Sequence, residues 1–259
     1  MAEAVVPRVE RLRANAGLAA AAWSRVPAVA LRRAQDGSEP LQATAVRTAY
    51  DADALLLRFE CDDRDIWATH SRRDSPLWEE EVVEVFVAPG EGDPSDYVEI
   101  EVNPLGAIFD ARVTNPHGTR DAMRVDTAWN AGGLIVAVSR PSPGRWTAQL
   151  EIPWSDLCDG VPPRVWRANF FRIERPRDGV PEFSCWSPTL VDPPDFHKPR
   201  CFGRLVLADR EEPLQPFLPR NQSQPIGALH RSRRQVAAPG TERSRGCRGN
   251  ALRFGGVLT

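Results

Sequence analysis

No run in this 259-residue chain comes near the roughly 18 consecutive apolar residues that a membrane span needs, so no membrane partner is expected. The stretch from Met1 to Trp23 carries Glu3, Arg8, Glu10, Arg11 and Arg13 where a signal peptide needs an unbroken apolar segment, which predicts a cytoplasmic protein. Cysteines are few and odd in number: Cys61, Cys158, Cys185, Cys201 and Cys247. They form no CxxC pair, which argues against a zinc site and a disulfide framework and predicts reduced, buried thiols. Methionine is limited to Met1 and Met123, so a haem held by Met and His has little to draw on. A GxSxG elbow is missing, which disfavours a serine hydrolase. The formal net charge of −2 hides a division along the chain. From Arg210 to Thr259 nine Arg stand against three Glu, a net of +6, which leaves −8 on the residues before them. An acidic body offers phosphates no cationic face, so no nucleic-acid partner is expected.

Short alternating runs dominate what is present. Val83, Val85 and Val87 alternate with Val82, Glu84 and Phe86, and Val98, Ile100 and Val102 alternate with Tyr97, Glu99 and Glu101. Leu134, Val136 and Val138 repeat the pattern, as do Ala148, Leu150 and Ile152. A period of two sends one set of side chains to a core and the other to an open face. Ala54 to Leu57 is apolar throughout, as in a strand covered on both sides. Turn-forming clusters separate the runs, among them Tyr50-Asp51-Ala52-Asp53, Asn103-Pro104-Leu105-Gly106 and Pro141-Ser142-Pro143-Gly144. Strands punctuated in this way predict an all-β fold, an antiparallel β-sandwich of the immunoglobulin-like or jelly-roll type with one or two short helices. Pro153 to Leu157 is the helix candidate, with proline at its start, and it is too short for a βαβ crossover. Three parts follow: an N-terminal extension over residues 1–40, expected to cover an edge; the sandwich over 41–208; and a basic tail over 209–259. The tail is predicted to be disordered, because no apolar period offsets its ordering entropy.

The stretch from Ser75 to Phe86 sets Trp78 after a proline and beside Glu79, Glu80 and Glu81, with Glu84 six residues on in a strand. Trp78 can cap the core or present its face to a ligand; Glu84 can pair with an arginine or bind that ligand. A sugar suits the second reading. Its C–H face is apolar and lies well on an aromatic ring, while planar polar side chains take its hydroxyls. Stacking one such ring removes about 100 Å² of apolar surface and contributes roughly 2–3 kcal/mol before costs.

Further motifs follow in order: Thr44-Ala45-Val46-Arg47 leading into Tyr50-Asp51-Ala52-Asp53-Ala54-Leu55, Glu101-Val102-Asn103-Pro104-Leu105-Gly106, Glu151-Ile152-Pro153-Trp154, Trp166 to Arg172, Cys185-Trp186-Ser187-Pro188, and Phe196 to Gly203. Taken with the Trp78–Phe86 segment, over about residues 42–207, this ordered set resembles the family 9 carbohydrate-binding modules, a group of DOMON-like β-sandwiches. The resemblance implies a non-catalytic module, a mono- or oligosaccharide partner and a role in carbohydrate catabolism. It also implies a site. In xylan-degrading members two Trp rings sandwich a terminal sugar. Trp78 matches the first ring, and the position of the second, six residues before Phe202-Gly203, holds Phe196. Glu84 matches the strand carboxylate that bonds the sugar. Glu99 stands where those members place an arginine, so hydroxyl recognition must differ. His197, beside Phe196, is added to the expected set on its position alone, a turn residue before Lys198 and Pro199 being its other reading, and Trp186 is expected to pack in the core. Because loops gather at the ends and rims of a sandwich, the site is expected at an end or edge.

Two other classes stay open on the residues alone. Glu84 with Glu99 or Glu101 could serve as the carboxylate pair of a glycoside hydrolase if their strands pair. Related sandwiches hold haem, with His70, His117 and His197 as the available histidines. No cofactor is expected, although Asp62-Asp63-Arg64-Asp65 could offer oxygen ligands to Ca²⁺ instead of standing as solvated loop carboxylates.

Overall fold

The computed structural model describes residues 1–9 and 23–209. The expectation for the tail falls on residues outside that range from 210 onward. The described residues form two packed sheets. The larger holds nine strands in the order β1 (Glu3–Val6), β14 (Gly203–Leu207), β12 (Val165–Glu174), β6 (Val82–Pro89), β7 (Asp96–Val102), β8 (Ile108–Thr114) and β9 (Arg124–Asp126). β13 (Glu182–Cys185) pairs with β12, and β3 (Arg32–Arg33) pairs with β13. The smaller sheet runs β10 (Ile135–Ser142), β11 (Arg145–Pro153), β5 (Ala54–Asp62), β4 (Thr44–Tyr50) and β2 (Ala28–Ala30). All these pairings are antiparallel except β1 with β14. The short helix α1 covers Trp154–Leu157, just after the proline that marked its start. The fold is the all-β sandwich that the alternating runs predict.

The period of two explains the layers. Val83, Val85 and Val87 of β6 and Val98, Ile100 and Val102 of β7 share one buried core with Leu55, Leu57 and Phe59 of β5 and Ala148, Leu150 and Ile152 of β11. Each fully buried aliphatic side chain contributes roughly 1.5–3 kcal/mol over leaving it exposed. β5 is covered on both sides, as its continuous apolar run predicts. Ala54 and Leu56 turn the other way and pack with Val9, Trp23, Val26 and Ala49. The Trp23 indole donates to Gln149 Oε1 at 2.8 Å. Residues from the first 40 thus cover the outer face of the smaller sheet and also supply β1, β2 and β3.

Several motif residues act as fasteners. Trp186 lies in the inter-sheet core, stacked on Phe170 at 5.4 Å. Gly203 permits this: a Cβ there would lie 2.5 Å from the Trp186 ring and 2.9 Å from the Ala2 carbonyl. Asn169, fully buried, donates to the Ser187 carbonyl and accepts from the Ser187 and Phe170 amides. Arg167 donates to the Phe202 carbonyl, tying β12 to the turn before β14. Arg172 reaches between the sheets to Asp63 at 3.1 Å, to Glu81 at 3.5 Å and to the Asp62 carbonyl at 2.6 Å. Cys61, Cys158, Cys185 and Cys201 are free thiols, two of them buried, and burial pushes Cys61 up to about 12.

Candidate carbohydrate-binding site

On β6 and β7 the side chains that do not enter the core face outward: Val82, Glu84 and Phe86 on one strand, Tyr97, Glu99 and Glu101 on the next. The antiparallel register sets Glu84 opposite Glu101 and Phe86 opposite Glu99. Phe109 of β8 lies opposite Glu101, and Ile173 of β12 lies opposite Val82. These strands form the floor of a cavity of about 410 Å³. Trp78, Glu84, Glu99, Phe196 and His197 all line it, although they are spread over 120 positions of the sequence, from 78 to 197.

The cavity lies on the open face of the larger sheet, not at an end or edge of the sandwich. This corrects the expectation drawn from loop placement. Three connections fold back across the sheet: 63–81 between β5 and β6, 115–123 between β8 and β9, and 186–202 between β13 and β14. They leave a hollow where a bare sheet would be open to solvent.

Trp78 sits in a single 3₁₀ turn, Leu77–Glu79, with Leu77 buried beneath it. The Trp78 side chain is 42 % exposed and meets Phe109 edge to face at 5.1 Å. Its loop is tied down at several points. Glu80 accepts hydrogen bonds from the Thr69 and His70 amides and from the Thr69 hydroxyl. Glu81 accepts from the Arg175 amide, and Arg175 Nε donates to the Trp78 carbonyl at 3.2 Å. Asn103, from the turn after β7, donates to the His70 carbonyl at 2.7 Å and accepts from the Leu105 and Ala107 amides. Two of the three acids beside Trp78 and the Asn-Pro-Leu-Gly motif therefore hold the loop on the sheet.

Phe196 differs from the Trp ring that the resemblance places there. It is 7 % exposed and stacks on Phe171 at 4.3 Å, so one of its faces is already covered. It belongs to the floor, while Trp78 stands up as a wall. His197 is buried beside it. Its Nδ1 lies 2.7 Å from the Tyr97 hydroxyl, and its Nε2 lies 4.0 Å from Glu99. Burial and the nearby Arg120 push this imidazole down to about 3, so it is neutral in the physiological range. A Tyr97 hydroxyl donating to Nδ1 leaves the proton on Nε2, directed toward Glu99.

Glu84, Glu99 and Glu101 are the dominant electrostatic feature. One carboxylate oxygen from each lies within 4.8 Å of the others, and all three residues are buried. Burial pushes Glu99 up to about 7. Burial and Glu99 push Glu84 well above the usual carboxylate range, and burial with both neighbours does the same to Glu101. The Glu101 Oε2 atom is buried without a hydrogen-bond partner among the described residues. Arg120, from the connection after β8, approaches this group, but its Nε and Nη2 are directed at Asp195, at 2.9 and 2.7 Å. Arg120, Phe109 and Arg175 are lining residues that carry no sequence signal, since their place depends on how loops and strands come together. Glu101 did carry one, because its alternation with Glu99 put both on one face.

The Asp62–Asp65 cluster is directed elsewhere. Asp62 pairs with Arg145, Asp63 with Arg172 and the Trp146 indole, and Asp65 with Arg177.

Comparison with known proteins gives these residues a family. The model of carbohydrate-binding family 9 matches residues 27–207. A protein of Arthroderma benhamiae named extracellular protein is 28 % identical over 178 residues, which cover 65 % of this chain and 80 % of that protein. A solved structure from Bacteroides uniformis superposes with a TM-score of 0.66 at 19 % identity, covering 80 % of this chain and 99 % of that one. A family 9 module of Caldicellulosiruptor kristjanssonii, solved with glucose, superposes with a TM-score of 0.54 at 13 % identity, covering 83 % of this chain and all of that one. The extracellular relative overturns the cytoplasmic expectation. That expectation rested on the charge pattern of one short segment, Met1 to Trp23. The family match does not favour the glycoside hydrolase reading. The haem reading is disfavoured because both ring nitrogens of His197 face partners, although Met123 lines the same cavity. With the match covering most of its length and the sandwich in place, the chain belongs to carbohydrate-binding family 9 and is a carbohydrate-binding module, not an enzyme.

Proposed function

We propose that the cavity over β6, β7 and β8 is the saccharide site, with Trp78 as the stacking wall, Phe196 in the apolar floor, and Glu84, Glu99 and His197 as the polar groups that read hydroxyls. The observation that carries this reading is the convergence of those five residues on one hollow of about 410 Å³. An exposed indole beside buried carboxylates has the two components a sugar ring requires, an apolar face and planar acceptors. The family 9 module of Caldicellulosiruptor kristjanssonii was solved with glucose and with cellotriose, which supports a mono- or oligosaccharide as the ligand.

The test is calorimetry with glucose, cellotriose and a panel of other mono- and oligosaccharides, on wild type and Trp78→Ala. Losing the stacked face should cost about 2–3 kcal/mol of binding. Unfolding should change little, because Trp78 is 42 % exposed. Undiminished affinity in Trp78→Ala would move the site elsewhere on the molecule.

A further inference from the structure

The same cavity has a charge imbalance that a neutral sugar does not resolve. Glu84, Glu99 and Glu101 converge within 4.8 Å. Among the described residues no Lys or Arg nitrogen forms an ion pair with any of the three; the one contact is the neutral His197, 4.0 Å from Glu99. The lining arginines are committed to other groups. Arg120 holds Asp195, and Arg175 donates to the Trp78 carbonyl while its guanidinium lies 5.5 Å from the Phe183 ring. Glu101 Oε2, on a residue 1 % exposed, is left without a donor. Buried carboxylates are ordinarily paired, and an orphaned acceptor in such a place is costly.

We propose that the ligand is an amino sugar, whose protonated amine is held by Glu84, Glu99 and Glu101 while its ring lies against Trp78. This rests on the saccharide reading of the cavity. An ammonium supplies a compact positive charge with three donors, and on binding it displaces the protons that burial holds on these acids. The walls suit it as well. The Trp78 and Phe109 rings meet edge to face beside the acids, and aromatic faces attract cations. A bare divalent ion would fill only the acidic corner, since hard cations seek six or more oxygen ligands and gain nothing from an apolar, aromatic wall.

The experiment is calorimetry at neutral pH with glucosamine, N-acetylglucosamine and glucose, each in chelator-treated buffer and again with Ca²⁺ or Mg²⁺. Glucosamine should bind roughly tenfold or more tightly than glucose, as expected of a charge-assisted contact, and N-acetylation, which removes the charge, should abolish the advantage. Glu101→Gln, close in shape and uncharged, should narrow the ratio toward one. Equal or weaker binding of glucosamine than of glucose overturns the amino-sugar assignment and leaves the saccharide site standing. No binding of any sugar in the wider panel removes the saccharide reading itself. Displacement of glucosamine by Ca²⁺ or Mg²⁺, with a metal-dependent rise in unfolding temperature that Glu101→Gln abolishes, assigns the three acids to a metal and also overturns the proposal.

Discussion

The two faces of the larger sheet each bury a cluster of acids and treat them in opposite ways. Inward, Asp63 and Glu81 meet Arg172, with the Trp146 indole also donating to Asp63 and the Arg175 amide donating to Glu81. Outward, Glu84, Glu99 and Glu101 meet one another and form no ion pair with a Lys or Arg among the described residues, the nearby Arg120 being bonded to Asp195. The inward cluster joins the end of β5 and the start of β6 to β12, and both of its acids have partners within the fold, although Arg172 Nε has none among the described residues. The outward cluster fastens nothing of comparable extent. Its members are crowded acids without a fixed counter-charge, which is how a binding site differs from a structural ion pair of similar composition.

Breaking the inward cluster should have the largest effect. Arg172→Met leaves Asp63 buried without its counter-charge, and removing one partner of a buried pair costs about 3–5 kcal/mol. Urea denaturation of the variant should show it; a loss below about 1 kcal/mol would mean that the two clusters do not differ as described. The outward cluster should respond to pH instead. Burial holds Glu99 at about 7 in the fold, against an ordinary value of 4.5. Its contribution to stability is therefore complete below about pH 4.5 and is lost as pH rises through about 7. The unfolding free energy of wild type, read from urea denaturation, should fall between pH 5 and pH 8 by roughly 1–3 kcal/mol on this account, and Glu99→Gln should flatten the decline. His197, held down to about 3, works with the opposite sign: its contribution is present above about pH 6.5 and is lost as pH falls toward 3. A decline unchanged in Glu99→Gln would locate the titrating group elsewhere. The smallest effect belongs to Tyr97→Phe, which removes the hydroxyl at His197 Nδ1. It should cost about 1 kcal/mol and shift the His197 titration, readable by NMR.

The strands of both clusters were legible in the sequence. Alternation alone put Glu99 and Glu101 on one face and Val98, Ile100 and Val102 on the other, and the unbroken apolar run from Ala54 to Leu57 marked β5 as covered on both sides. The Ser75–Phe86 segment offered Trp78 and Glu84 on its own residues, the resemblance added Phe196 with His197 beside it, and all four reach the one cavity. Cross-strand register was not legible. That Glu84 sits opposite Glu101 depends on which strands pair and by how many residues they slide, and local pattern does not fix either. Arg120 was hidden for a related reason: a loop residue's neighbours are set by the path of the loop. The position of the site on the sheet face was missed because three connections fold inward instead of ending at the rim. Trp23 and Val26 gave no sign that they cover the second sheet, since two apolar residues in an Ala- and Arg-rich stretch form no period.

Asn103 has a kinetic meaning beyond its place in a turn. Its side chain joins the β7–β8 turn to the His70 carbonyl, and Glu80 clasps the next part of the same loop, so the segment carrying Trp78 is ordered during folding. A ligand entering the cavity meets a wall already in position and need not wait for a loop to close. Encounter should then proceed at an ordinary diffusional pace, and differences among ligands should appear in how long each stays bound.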